Sequence, residues 1–349
     1  MRIAGVATAV PKQYYTQQQI LDELGKHWAE KLPNIEVLNR FHHRVGVEGR
    51  YLSLPIKEYH GIERWGQSND YWLRVAEELG EEAVTGALAA AGVDKADVGA
   101  MIVVSVTGIA SPSLDAHLIN KMGLPLNMRR TPIFGLGCVA GAAGISQAAD
   151  YVRAYPDRVA VLLSVELCSL TWQRGDVSVA NLIASGLFGD GAAAVVICGD
   201  ARPGSGPQIV ATESVFFPDT EETMGWDISE EGFKIVLSAE VPAVIHKYLA
   251  CGVDAFLSKH GLQRDDIGSW VMHTGGPKVL EATETALGLP ASAFAASWES
   301  LRRVGNLSSA SVLFVLQETM REHQPAEGTW GVLAAMGPGF CAELVLLRW

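Results

Sequence analysis

The chain reads as an α/β layered fold, and three observations predict it. Short apolar runs of strand length alternate with longer amphipathic or small-residue stretches along the whole sequence. Hydrophobic residues make up 48% and charged residues 19% of 349 residues, enough apolar content for two fused domains or one duplicated body. A turn-rich segment, Gly199–Gly206, interrupts the alternation, after which it starts again. The halves are expected at residues 1–205 and 206–349.

Local pattern then gives each element. Met1–Val10 is mildly apolar but broken by Gly and Thr, which suits a first strand and not a signal peptide. Residues 12–95 read as mostly helical and end in the Ala-rich stretch Glu77–Ala91. Val98–Val106 reads as a buried strand, and Ser111–Met122 as a helix opened by Ser-Pro. Thr131–Gly137 is a short strand running into Cys138, and Val139–Ala149 is a helix of residues small enough for close packing. Val159–Val165 and Ala192–Cys198 are further strands. The second half gives helices at Val241–Ser258, Pro277–Leu287 and Ser308–His323, with strands at Trp270–His273, Gly331–Ala335 and Cys341–Leu347.

Composition excludes some functions. A net charge of −12 leaves no broad basic surface to collect nucleic-acid phosphates. No apolar run approaches the roughly 18 residues that a membrane span requires. Cys138, Cys168, Cys198, Cys251 and Cys341 show neither CxxC pairing nor zinc spacing, so free thiols in a reducing cytoplasm are expected, with no metal.

Three residues could carry chemistry. Cys138 lies where an apolar strand passes into a helix of small residues. Free N–H groups and the helix dipole there are expected to acidify the thiol; the alternative is a cysteine serving as a small hydrophobe in a tight junction. His273 ends a strand beside the turn Thr274-Gly275-Gly276-Pro277, where open α/β sheets place reactive groups. Asn306, in Gly305-Asn306-Leu307-Ser308-Ser309-Ala310, has an ordinary reading as a helix cap. One Cys with a His and an Asn at separate element ends is nevertheless a nucleophile constellation. Phe188-Gly189-Asp190-Gly191-Ala192 reads as a tight Asp-Gly turn before a strand. Met336-Gly337-Pro338-Gly339-Phe340 interrupts two strands and could offer N–H donors to an oxyanion.

Five ordered motifs carry a resemblance over nearly the whole chain from about residue 40. They are Gly135-Leu136-Gly137-Cys138, Leu187-Phe188-Gly189-Asp190-Gly191-Ala192-Ala193, His273-Thr274-Gly275-Gly276-Pro277, Gly305-Asn306-Leu307-Ser308-Ser309-Ala310 and Gly337-Pro338-Gly339. In this order they resemble the thiolase superfamily, and within it the chalcone-synthase-like type III polyketide synthases.

The resemblance implies a duplicated five-layer αβαβα fold and a homodimer. It implies that Cys138 takes the acyl group of a starter acyl-CoA as a thioester. His273 would keep the thiolate and, with Asn306, bind the malonyl-CoA thioester oxygen during decarboxylation. The enolate then attacks the Cys138 thioester. Coenzyme A thioesters are the substrates, and no separate cofactor is implied. Phe188 matches one aromatic gatekeeper of the plant enzymes, and Ile235 falls where the other would be a Phe, implying a different or wider entrance. Cys168 and Thr171 match positions beside the cavity. Ser111 stands where plant enzymes have a Met that enters the partner's cavity. Ser308 and Gly337-Pro338-Gly339 belong to the substrate wall, and Arg44 and Lys278 to the coenzyme A phosphates. Cys168 and the segment Pro218–Asp227 are similar to alkylpyrone and alkylresorcinol synthases, which implies a long-chain acyl starter. The alternatives are a ketoacyl synthase III-like condensation with an acyl carrier protein, a cysteine thioester hydrolase, and an inactive acyl-CoA-binding scaffold.

Overall fold

The computed structural model describes all residues except Pro33 and Pro203. The first half runs β1 (Arg2–Ala9), β2 (Gln13–Thr16), α1 (Gln17–His27), α2 (Glu36–Arg44), β3 (Gly49–Leu52), α3 (Trp65–Ala91), β4 (Val98–Val104), α4 (Leu114–Met122), β5 (Arg129–Ile133), α5 (Ala140–Ala154), β6 (Val159–Leu167), α6 (Val179–Leu187) and β7 (Asp190–Cys198). The second runs β8 (Gln208–Phe216), β9 (Met224–Ser229), β10 (Gly232–Leu237), α7 (Val241–Ser258), β11 (Ile267–Met272), α8 (Pro277–Leu287), α9 (Ala295–Val304), α10 (Ser311–Glu322), β12 (Trp330–Gly337) and β13 (Cys341–Arg348).

Nine strands form one mixed sheet in the order β11-β12-β13-β8-β1-β7-β6-β4-β5. The duplication is visible in that order. β4 lies parallel to β6, β6 antiparallel to β7, and β7 antiparallel to β1. β11, β12, β13 and β8 repeat the same directions. The two sets meet antiparallel where Arg2 pairs with Gln208.

Three apolar clusters fill the spaces between layers. One lies under α3 and α4, and one joins α5 and α10 to strands of both halves. The third lies under α7 and α8. This gives the helix–sheet–helix–sheet–helix order of the thiolase-like fold. β6 and β7 are buried along their full lengths, as strands covered on both faces must be. In α5 small residues allow close approach: a Cβ at Gly141 would strike the Ser309 carbonyl. Among the described residues no helix is long and apolar enough to cross a membrane.

Several local expectations are corrected. The 12–95 stretch contains the β2–β3 ribbon, pinned by the Tyr14–Tyr51 aromatic contact. α4 starts at Leu114, because Ser113 is still extended (φ −69°, ψ 158°) and forms its N-cap. The Asp190-Gly191 pair is not a turn. It opens β7, paired with Leu167 and Glu166, because four donors on Ser53 and Ser169 satisfy the Asp190 carboxylate inside the sheet.

Candidate active site

Cys138 sits in a single 3-10 turn, Gly137–Val139, between β5 and α5. Gly137 takes φ +57°, and a Cβ there would lie 2.6 Å from Pro338 Cδ, so only glycine lets the β12–β13 turn close over the thiol. The sulfur lies 3.6 Å from Ser308 Oγ, its one hydrogen-bond partner among the described residues. The expected acidic thiol is not found. Burial pushes the Cys138 thiol up to about 12, with the Ser308 hydroxyl acting against that rise. Cys138 is buried and precedes α5 rather than capping it, so loss of solvation outweighs the helix terminus.

His273 follows β11 and donates its backbone N–H to the Ala334 carbonyl of β12 at 3.0 Å. Its imidazole is buried, and Nδ1 has no hydrogen-bond partner among the described residues. Burial lowers it from 6.5 to about 4, so it is neutral at physiological pH.

Asn306 Oδ1 accepts from Ser308 N at 2.8 Å and Ser311 Oγ at 3.3 Å, a local turn and not the expected helix cap, because Leu307 and Ala310 occupy the cap positions of the turns that follow. Its backbone pairs with Leu187 and Gly189, on either side of Phe188. No hydrogen bond joins the thiol to His273 or Asn306 in the described structure, and neither residue is on the cavity wall.

A cavity with about 120 Å³ of free volume opens beside the thiol. Cys138, Ser308 and Pro338 line one end, with Phe188, Cys168 and Thr171 on the sides. Ile235 and Met224-Gly225-Trp226 of the β9–β10 hairpin form another wall. Gln173 Nε2 holds that hairpin through the Glu231 and Phe233 carbonyls, both at 3.2 Å, while Phe233 packs edge-on against Trp65. The structure therefore gathers Cys138, Ser308, Phe188, Ile235, Cys168, Thr171 and Pro338 around one space. Ser111, Arg44 and Lys278 lie outside it and are exposed. The turn after Arg44 meets the start of α8, where a Cβ on Gly46 would lie 3.6 Å from Pro277 Cγ, so Arg44 and Lys278 flank one surface region. Arg40, missed in the sequence, stands one turn before Arg44 on the same face of α2.

Buried charges around the cavity were also missed. Arg50 is 2% exposed on the cavity wall and donates to the Ser185 and Gly186 carbonyls at the end of α6. Glu166 is fully buried, accepts from Val106 N at 3.2 Å and Thr107 Oγ1 at 2.9 Å, and takes a further bond from Ser309 Oγ. Burial raises its carboxyl from 4.5 to about 7 against those donors. Its signal was present in the sequence: one acid interrupts the apolar run Val159–Leu167.

Known proteins share this arrangement. Residues 2–201 match the family model described as the chalcone and stilbene synthases' N-terminal domain, and residues 208–349 the C-terminal domain. A 1,3,6,8-tetrahydroxynaphthalene synthase of Streptomyces peucetius subsp. caesius is 51% identical over 99% of this chain and 93% of its own length. A 3,5-dihydroxyphenylacetyl-CoA synthase of Streptomyces toyocaensis is 34% identical over 100% and 90%. The crystal structure of the tetrahydroxynaphthalene synthase of Streptomyces coelicolor A3(2), a bacterial type III polyketide synthase, superposes with a TM-score of 0.95 at 33% identity, covering 100% of this chain and 99% of that one. The motifs, the duplicated sheet and these likenesses converge, and the chain belongs to the chalcone and stilbene synthase family, as a type III polyketide synthase of the thiolase superfamily.

Proposed function

We propose that this acyltransferase builds a polyketide on Cys138 from coenzyme A thioesters and closes it to an aromatic product of the 1,3,6,8-tetrahydroxynaphthalene type. The observation that carries this reading is a buried thiol at the end of an enclosed cavity, in a chain 51% identical to a synthase named for that product.

The proposed steps balance. His273 accepts the Cys138 proton as the sulfur attacks the starter's thioester carbonyl. The carbon–sulfur bond to coenzyme A breaks, and the coenzyme A thiolate leaves with that proton. The malonyl group of the next substrate loses carbon dioxide, and the electrons of the broken carbon–carbon bond become an enolate. N–H donors on His273 and Asn306 stabilise its oxygen. In a dry site such donors are worth several kcal/mol, roughly a hundredfold or more in rate. The enolate carbon attacks the Cys138 thioester, a carbon–carbon bond forms, and the Cys138 sulfur leaves as thiolate. A neutral His273 supports the first step, because only an unprotonated imidazole can accept the thiol proton.

Phe188 and Ile235 would set the entrance, with Cys168, Thr171, Ser308 and Gly337-Pro338-Gly339 shaping the chain. Arg44 and Lys278 would meet the coenzyme A phosphates, and Ser111 would lie at a homodimer contact. Five free cysteines suit a cytoplasmic setting.

A second starter is favoured by the cavity itself. Its lining includes Ile20, Leu24, Ile56 and Trp172, apolar side chains that suit the tail of a long-chain acyl-CoA and alkylpyrone or alkylresorcinol products. Incubation with malonyl-CoA and a ladder of acyl-CoAs, with mass spectrometry of products and protein, tests both starters. A tetrahydroxynaphthalene product with malonyl-CoA alone supports the first, and pyrones or resorcinols carrying the alkyl tail support the second. Absence of any acyl adduct on Cys138, or full condensation by Cys138→Ala, would overturn the mechanism. Carbon dioxide release separates condensation from thioester hydrolysis.

A further inference from the structure

The cavity lined by Cys138 and the apolar Ile20, Leu24, Ile56 and Trp172 is also lined by Glu23 on α1 and His60 on the short 3-10 helix Ile56–Gly61. Glu23 Oε1 and His60 Nε2 lie 2.7 Å apart, with side-chain exposures of 17% and 36%. Ile20, Glu23 and Leu24 share one face of α1, so the same helix offers the cavity two apolar side chains and one charged one.

Aromatic rings surround this pair. The His27 ring lies 5.6 Å from that of His60 and 5.0 Å from that of Trp172. Trp28 stands behind Trp172 at 5.7 Å, fully buried, with its indole N–H on the Arg174 carbonyl at 3.0 Å. Lys26 adds a charge, 3.3 Å from Glu23 Oε2 and 74% exposed, and Arg174 and Lys31 lie near enough to His27 to act on it. The pair lines the cavity and is itself partly exposed.

We propose that the Glu23–His60 pair is the back wall of the acyl cavity and sets the longest chain that the enzyme accommodates. The inference rests on the reading of Cys138 as the loading site and adds the residue pair that limits chain length there. Each methylene entering the apolar arm raises affinity about fourfold. A chain that reaches the pair must displace it or fold back, and the gain stops. Without these two side chains the tail passes into solvent, and the penalty on longer chains disappears.

The test compares the natural protein, the double variant Glu23→Ala with His60→Ala, and the control Glu23→Gln, which keeps the wall's shape. Calorimetric affinity for saturated fatty acids of rising length is measured first, since it needs no reaction at Cys138. Intact-protein mass spectrometry then scores Cys138 loading with the matching acyl-CoAs. In the natural protein and the control, affinity should rise with length and then fall by about tenfold beyond the longest accommodated chain. In the double variant the fall should become a plateau, with malonyl-CoA turnover within about twofold of the natural enzyme. Identical length profiles in all three proteins, or an equal loss at every length in the double variant, overturn the proposal. A shifted fatty-acid profile with no acyl adduct on Cys138 leaves the wall standing and removes the loading reading. Adducts with an unshifted profile do the reverse.

Discussion

Ser308 holds a left-handed backbone, φ +48°, and from it places its hydroxyl 3.6 Å from the Cys138 sulfur. That conformation costs a non-glycine residue on the order of 1 kcal/mol, and it persists because Asn306 Oδ1 accepts the Ser308 N–H. The strain and the contact with the thiol belong to one residue.

Replacing Ser308 by Gly should separate the two. Glycine relieves the strain, so the melting temperature should hold within about 2 °C. The thiol loses its hydrogen bond, and alkylation of Cys138 by iodoacetamide at pH 8 should slow about fivefold, in line with a bond worth about 1 kcal/mol. Unchanged alkylation would mean that the hydroxyl does not support the thiolate.

Asn306 combines a turn-forming oxygen with a proposed donor. Asn306→Asp keeps the oxygen that serves Ser308 and Ser311, so stability should change by less than about 1 kcal/mol, while Asn306→Ala should lose about that amount or more through the two lost hydrogen bonds. Both lose the amide N–H donors, and both should depress malonyl-CoA decarboxylation about a hundredfold or more while sparing acylation of Cys138. Equal losses in the two steps would remove Asn306 from the enolate site.

Stability should fall toward both ends of the pH range because of the buried pair. As pH falls from 6.5 to about 4, the unfolded chain protonates at residue 273 while the folded one does not. This withdraws on the order of 3 kcal/mol. Above pH 9 the unfolded thiol ionises while folded Cys138 keeps its proton up to about 12, so stability falls again. Urea unfolding across pH should show the alkaline decline, removed in Cys138→Ser, while the His273 contribution is read as the difference between the natural protein and His273→Gln, because Glu166 opposes it over the same range.

Glu166 shifts the other way. Its folded carboxyl titrates near 7 and its unfolded one near 4.5, so the native state binds the extra proton between these values and stability declines as pH rises through them. Glu166→Gln keeps the shape without the ionisation and should be more stable than the natural protein at pH 8, with the declining contribution gone and only the rise from His273 left in that window. A Gln variant whose stability tracks that of the natural protein through the window would assign the decline elsewhere.

Much of the frame was legible because its signals are local. α7 and α8 fall at the expected residues, each with proline in its first turn, and α8 closes on Gly288 in the left-handed region. The β9–β10 hairpin, β8 and α6 were missed. β8 and the hairpin mix exposed and half-buried positions without clean alternation, and α6 lies in a stretch of small and polar residues. Cys138, Phe188, Ile235, Cys168 and Thr171 were found through motifs and do meet at one cavity. Arg50 and Tyr59, buried on the same cavity wall, were not, because a charge or phenol bound for the interior looks in sequence like any surface group. Ser111 is exposed outside this cavity, and a position expected to face a partner's cavity leaves no contact within a single chain.

The meeting of β1 and β8 through Arg2 and Gln208 also bears on how such a site could arise and be lost. The thiol of Cys138 lies on the first repeat, while the serine that touches it and the proline over its turn come from the second, across the layer of α5 and α10. Neither repeat alone supplies the surroundings of the proposed nucleophile. A chain cut between them would strip the apolar faces of α5 and α10, so the two pieces should recover turnover only when mixed and allowed to dock.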